Sequence, residues 1–147
     1  MASLRGHKGR KGNSIVEFVF LAPWYLFLFI GFFDMGLYNY ALISTQAAAR
    51  VAASYTSTNS TTATDSATAC RYAMAQLRDL PNVPAYSPGT GCTGTSVTVT
   101  ATLVTGPDGN QASLVTVTYV LPALSGIPNL LPGHYTAVQS FEMKLQS

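Results

Sequence analysis

Charge is scarce in this chain. Asp, Glu, Lys and Arg together make up 10% of its 147 residues, and histidine occurs only at His7 and His134. One histidine lies near the N-terminus and the other on a predicted loop edge, so neither a catalytic triad nor a histidine metal cluster is assembled. Asp65, Asp79, Asp108 and Glu142 are scattered, which leaves no carboxylate pair for general acid–base work. After Gly12 only four cations remain, Arg50, Arg71, Arg78 and Lys144, against six acids. That balance excludes the large basic patch of a nucleic-acid surface. The letters of a dinucleotide-binding glycine motif occur at Gly89-Thr90-Gly91-Cys92-Thr93-Gly94, but a proline-rich loop leads into it and a strand follows. The motif needs a helix N-terminus to meet the phosphate, so the plainer reading is a turn. No enzyme, cofactor, metal or small-molecule substrate is indicated.

What is present is concentrated at one end. Arg5, Lys8, Arg10 and Lys11 all precede Gly12 with no acid among them, Glu17 follows, and Phe18 to Phe33 carry no charge. Residues 1–12 read as a short basic leader punctuated by Gly6, Gly9 and Gly12. From Ser14 to about Tyr55 the pattern predicts one continuous helix, within a long hydrophobic segment 13–55. Its first part is apolar all round, as a bilayer span must be. The positive-inside rule then places the leader in the cytoplasm and the rest of the chain outside. Ala47-Ala48-Ala49 and Ala52-Ala53 imitate a signal-peptide cleavage site, but the apolar run before them is too long for a signal core. Pro23 removes a backbone hydrogen bond and is expected to kink or locally melt the helix. Gly31 and Gly36 offer points where another helix approaches closely. Ten of the sixteen aromatic residues lie between Phe18 and Tyr40; packing and membrane anchoring explain them, with Trp24 and Tyr25 near one interface. Above Asn39 an apolar stripe of Ala41, Leu42, Ile43, Ala47, Ala48, Val51 and Ala52 is predicted to face a small domain, with Ser44, Thr45, Gln46, Arg50 and Ser54 opposite.

Residues 56–147 are expected to form a small extracytoplasmic α+β head. Thr56 to Thr64 reads as a polar linker; Asn59-Ser60-Thr61 in it fits the N-glycosylation pattern, though a solvated loop explains it as well. Asp65 or Thr64 caps a second helix that runs to about Leu80, where Pro81 stops it. A proline- and glycine-rich loop follows to Gly94. Cys70 and Cys92 both fall on the outer side, where a disulfide persists. Closing a loop of about 22 residues is worth roughly 3 kcal/mol by chain-entropy arithmetic. Beyond Gly94 the period changes to two: Val97, Val99, Ala101 and Leu103, a turn at Gly106 to Asn110, then Val115, Val117, Tyr119 and Leu121 predict a hairpin. After a loop over Pro122 to Gly133, a strand from about His134 to Leu145 presents Tyr135, Ala137, Phe141 and Met143 on one side. It completes a three-stranded antiparallel sheet, one face of which is expected to pack on the outer half of the long helix.

Glu17 and Asp34 remain unexplained by packing. An acid in hydrocarbon costs about 2.5–3.5 kcal/mol on insertion scales and usually finds a partner. The two lie about 100° apart around the helix and roughly 26 Å along it, so each needs its own counter-charge. If the chain is cut after Gly12, Asn13 carries a new ammonium one helical turn from Glu17. For Asp34 a candidate partner is Arg50 of a neighbouring helix.

These features resemble a type IV pilin-type protein, and more closely the TadE-like pseudopilins of Tad (tight adherence, Flp-type) pilus systems. The basic leader, Gly12 and Glu17 resemble a prepilin peptidase site with the acidic residue that type IV pilins share. Val16-Glu17-Phe18, Ala22-Pro23 and Asp34-Met35-Gly36 resemble the family's V-E-F, L-P and E-F-G signatures, and Gln46-Ala47-Ala48-Ala49-Arg50 resembles its alanine-rich segment. The resemblance covers about residues 9–53; departures are Asp34 for glutamate, Ala22 for leucine and Ala52 where glycine often stands. It implies a subunit held single-pass in the inner membrane and cut at Gly12–Asn13 by a prepilin peptidase. An assembly platform and ATPase would then draw it into an extracellular filament with other copies or related pilins. Pro23, Glu17, Asp34 and Arg50 would be its intersubunit residues. The alternative from another class is a permanently anchored single-span protein whose outer domain binds a ligand or surface.

Overall fold

A computed structural model describes residues 13–87, 92, 96–122 and 135–146. The leader, Gly12, His134, most of the glycine-rich letters at 89–94 and most of the loop after Pro122 lie outside the described residues. The elements are α1 (Asn13–Thr56), a single 3₁₀ turn (Thr62–Thr64), α2 (Ser66–Leu77), β1 (Val97–Thr105), β2 (Gln111–Val120) and β3 (Thr136–Lys144). This is the expected α+β order of a long helix, a second helix and an antiparallel sheet.

α1 is 44 residues long and contains Pro23, about 66 Å at the standard rise. The helix is continuous through Pro23, so the local melting allowed by the sequence does not occur. A proline deprives one carbonyl, that of Val19, of its i+4 partner, while the helical turns on either side persist.

The upper half of α1 forms the spine of the head. Its buried face is Ala41, Thr45, Ala48, Ala49, Ala52, Ala53 and Thr56, a helical repeat of almost only alanine and threonine. This corrects the predicted stripe. Ala41, Ala48 and Ala52 are buried, Leu42 and Val51 are half-buried, and Ile43 and Ala47 face out. Thr45, assigned to the polar side, is fully buried, because its hydroxyl donates to the Ala41 carbonyl at 2.6 Å. A hydroxyl satisfied by the preceding turn no longer needs water. Small side chains then let α2 and the sheet approach the helix axis closely.

The polar segment 56–64 is exposed over 58–61, as expected of a solvated loop, but it is pinned to the head at both ends. Thr56, Ser57 and Ala63 are buried. The Ser113 hydroxyl donates to Thr56 Oγ1 at 2.7 Å, and Gln146 N donates to the Ser57 carbonyl at 2.9 Å. Asn59 is exposed, and its side-chain oxygen accepts from the backbone of Thr61 and Thr62, turning the chain. Asp65 caps α2, accepting from Thr68 N at 3.0 Å. That interaction with Thr68 lowers the Asp65 pKa. α2 ends at Leu77, one turn before the predicted Leu80, which is itself buried.

The sheet has the order β1-β2-β3, both pairs antiparallel. Val97 pairs with Tyr119 and Ala101 with Val115 on one side, Val115 with Phe141 and Tyr119 with Ala137 on the other. These residues share the inner face, which lies on α1 and α2. Tyr119, near the end of β2, is the largest fully buried side chain on that face, and burial raises the pKa of its phenol. Gly109 (φ 75°) closes the hairpin, where Gly109 N donates to the Gly106 carbonyl at 3.0 Å. Cys70 and Cys92 form the expected disulfide, Cα–Cα 5.7 Å, with a sequence separation of 22.

Candidate assembly surface

Below Tyr38, α1 leaves the head behind. The Tyr38 ring meets that of Tyr135 at 5.4 Å, and residues 15–37 continue as a stem. Its large apolar side chains are exposed on every side: Ile15, Phe18, Val19, Phe20 and Leu21 in the first turns, and Phe29, Phe32, Phe33 and Met35 further on. Phe20 is 75% exposed and Phe32 74%. Burying one such side chain is worth roughly 1.5–3 kcal/mol, so a stem carrying more than a dozen of them is not built for water. Its most apolar stretch is not buried anywhere within the chain. At about 1.5 Å per residue the stem is long enough to cross a hydrocarbon core of roughly 30 Å.

Within this surface the predicted site residues are dispersed. Asn13 opens α1 and Glu17 lies in its second turn. Among the described residues neither Glu17 nor Asp34 takes part in an ion pair; the ion pairs there are Arg78–Asp79 and Lys144–Asp108. Arg50 is exposed, with its guanidinium 5.9 Å from the centre of the Phe141 ring. Sixteen residues separate Asp34 from Arg50, about 24 Å along the axis and 160° around it. They therefore cannot pair within one chain, but they face nearly opposite ways, as required for each to meet a different neighbour. A Cβ added at Gly31 or Gly36 would meet nothing within 4 Å, so any close approach there must come from outside the chain.

No group of three or more His, Cys, Asp or Glu residues is arranged for a metal among the described residues. Sequence reasoning missed the head's arginine-lined pocket, because Arg71 sits in an unremarkable helix and Arg78 at its C-cap. Their partners come from the irregular segment after it.

The arrangement, one apolar helix long enough to cross a membrane followed by a small head, suggests membrane anchoring. A family model described as TadE-like protein matches residues 12–54, nearly the whole of α1 and under a third of the chain. The match is consistent with a TadE-like pseudopilin of the Tad pilus system, a family of structural pilus components rather than enzymes. No characterised protein and no solved structure matches the chain.

Proposed function

We propose that this chain is a pilin-like subunit, a TadE-like pseudopilin inserted in the inner membrane with residues 1–12 in the cytoplasm and the head, 56–147, outside. A prepilin peptidase cuts after Gly12, and an assembly platform and ATPase move the chain into an extracellular filament. There the stem exchanges lipid for the stems of other copies or related pilins. The observation that carries this reading is the stem itself: apolar on every side, matched to the TadE-like family, and bearing an unpaired acid at each end.

The chemistry follows from those acids. Cleavage gives Asn13 an ammonium about one helical turn, roughly 6 Å along the axis, from Glu17. In a low-dielectric filament core that charge neutralises Glu17, on its own chain or a neighbour's. Processing and assembly are thereby linked, since an uncut chain has no ammonium to offer. Asp34 meets Arg50 of a neighbouring chain in the same way. The test is charge reversal: Asp34→Arg or Arg50→Asp alone abolishes filaments, and the two together restore them. Failure of the double variant rules out that pair. A permanently anchored binding protein would instead keep its leader and need neither charge.

A further inference from the structure

Two of the four cations that follow Gly12 border one pocket. α2 supplies Arg71 and Met74, Arg78 caps its C-terminus with helical backbone angles, and the irregular segment after it supplies Val83, Pro84 and Tyr86, around a volume of about 490 Å³. Clefts of this size hold ligands. Arg71 and Arg78 are seven residues apart, so they project from nearly the same side of α2, roughly 10 Å apart along its axis. Met74 lies between them as an apolar floor. Both arginines are exposed, and Arg71 also exerts a weak electrostatic pull on Asp65. Arg78 lies 3.6 Å from Asp79 with side chains 78% and 72% exposed, a surface pair that other carboxylates readily displace. Arg71 rests over the Tyr72 ring at 5.1 Å.

The opposite wall offers backbone. Val83, Ala85 and Tyr86 make no backbone hydrogen bonds among the described residues, and Pro84 has no N–H. The wall is nevertheless anchored. The Tyr119 hydroxyl donates to the Pro81 carbonyl, the Ser96 hydroxyl donates to the Asn82 carbonyl, and the Cys70–Cys92 disulfide ties the later part of the segment back to α2.

We propose that this pocket binds an extended acidic peptide segment of a partner protein, with carboxylates four residues apart and an apolar side chain midway. In an extended chain alternate side chains share a face, and four residues span roughly 13 Å. That is within reach of two flexible arginine side chains whose stems are about 10 Å apart. The central apolar side chain rests on Met74 and Val83, while the peptide backbone meets the unpaired amides of Val83, Ala85 and Tyr86. An acidic oligosaccharide would match the charges but would leave the apolar floor and the amides unused. The site lies on the head and is independent of whether stems assemble into filaments.

The test uses the full chain in detergent micelles and a fluorescein-labelled peptide, Gly-Asp-Thr-Leu-Thr-Glu-Gly, read by fluorescence anisotropy at low salt. Saturable binding is expected, weakened about threefold by Arg71→Gln or Arg78→Gln and about tenfold by both, the range of exposed charge pairs. Replacing the peptide's acids by Asn and Gln, or its leucine by serine, weakens it as well. The variants' unfolding midpoint and intact disulfide establish that the head is still folded. No binding, equal binding of the amide peptide, or no effect of the double arginine variant overturns the proposal. So does a serine peptide that binds as well as the leucine peptide and is displaced by a short polyuronate, because the site would then select charge alone.

Discussion

The two halves of α1 are one unbroken helix with opposite logic. Below Tyr38 the large apolar side chains are exposed on every side; above it one face, of small side chains, is buried against the head, while Tyr40 and Ile43 stay exposed. The upper half has already met its packing partners, α2 and the inner face of the sheet, and it used alanine and threonine to bring them close. The lower half has met none. Although the head's other elements bury large apolar residues such as Leu77, Val97, Val115, Val117 and Tyr119, along α1 hydrophobicity therefore does not locate the core. It marks instead the part whose solvent is lipid or, in the proposed filament, other helices. Burial along α1 is marked by small size and by hydroxyls that bond back to their own helix.

Substitutions on either side of that divide sharpen or break the comparison. The largest effect is expected at Glu17. Glu17→Ala leaves the head folded and the chain in the membrane but reduces surface filaments at least tenfold, counted in sheared fractions; unchanged assembly would remove its role as partner of the Asn13 ammonium. Next is the staple that holds the irregular segment to α2. Replacing Cys70 and Cys92 together by serine lowers head stability by about 3 kcal/mol, measured by denaturant unfolding in detergent. Ala52→Leu in the buried half overpacks the contact between α1 and the rest of the head and costs about 1–3 kcal/mol. Ile43→Ala, at a larger and more hydrophobic side chain that is 66% exposed, changes the same measurement by less than about 0.5 kcal/mol. A loss at Ile43 equal to that at Ala52 would erase the distinction between the two faces.

The smallest effect is at the hairpin turn. Asp108 accepts from the Asn110 side chain at 2.8 Å and its backbone at 3.1 Å, and from Lys144 Nζ at 3.1 Å. These bonds, those of Asn110 foremost, lower its pKa from 3.8 to about 2. The folded-state value is depressed, so the contribution is fully present above the unfolded value near 4. It is lost as pH falls through about 2. Asp108→Asn flattens this acid limb only slightly, because the group is exposed.

Much of this was legible in the sequence. The stem announces itself by an uncharged run, the hairpin by a strict alternation around Gly106 to Asn110, and the disulfide by two cysteines on one side of the predicted membrane. The family match at 12–54 falls on the same residues that carry the resemblance in the sequence. The failures share one cause. Thr45, Thr56 and Ser57 were assigned to solvent by polarity, yet local carbonyls satisfy their hydroxyls. Ile43 was assigned to the core by apolarity, yet it continues the stem's outward surface. The pocket between α2 and residues 83–86 depends on tertiary ties from Tyr119 and Ser96, which no local pattern announces.

The central claim is that the stem's membrane is temporary and that its release requires a cut after Gly12. N-terminal mass spectrometry of this chain, recovered from filaments sheared off the cell surface, tests it most directly. The account predicts a chain that begins at Asn13. A chain in those filaments that still carries Met1 or Ala2 would contradict it.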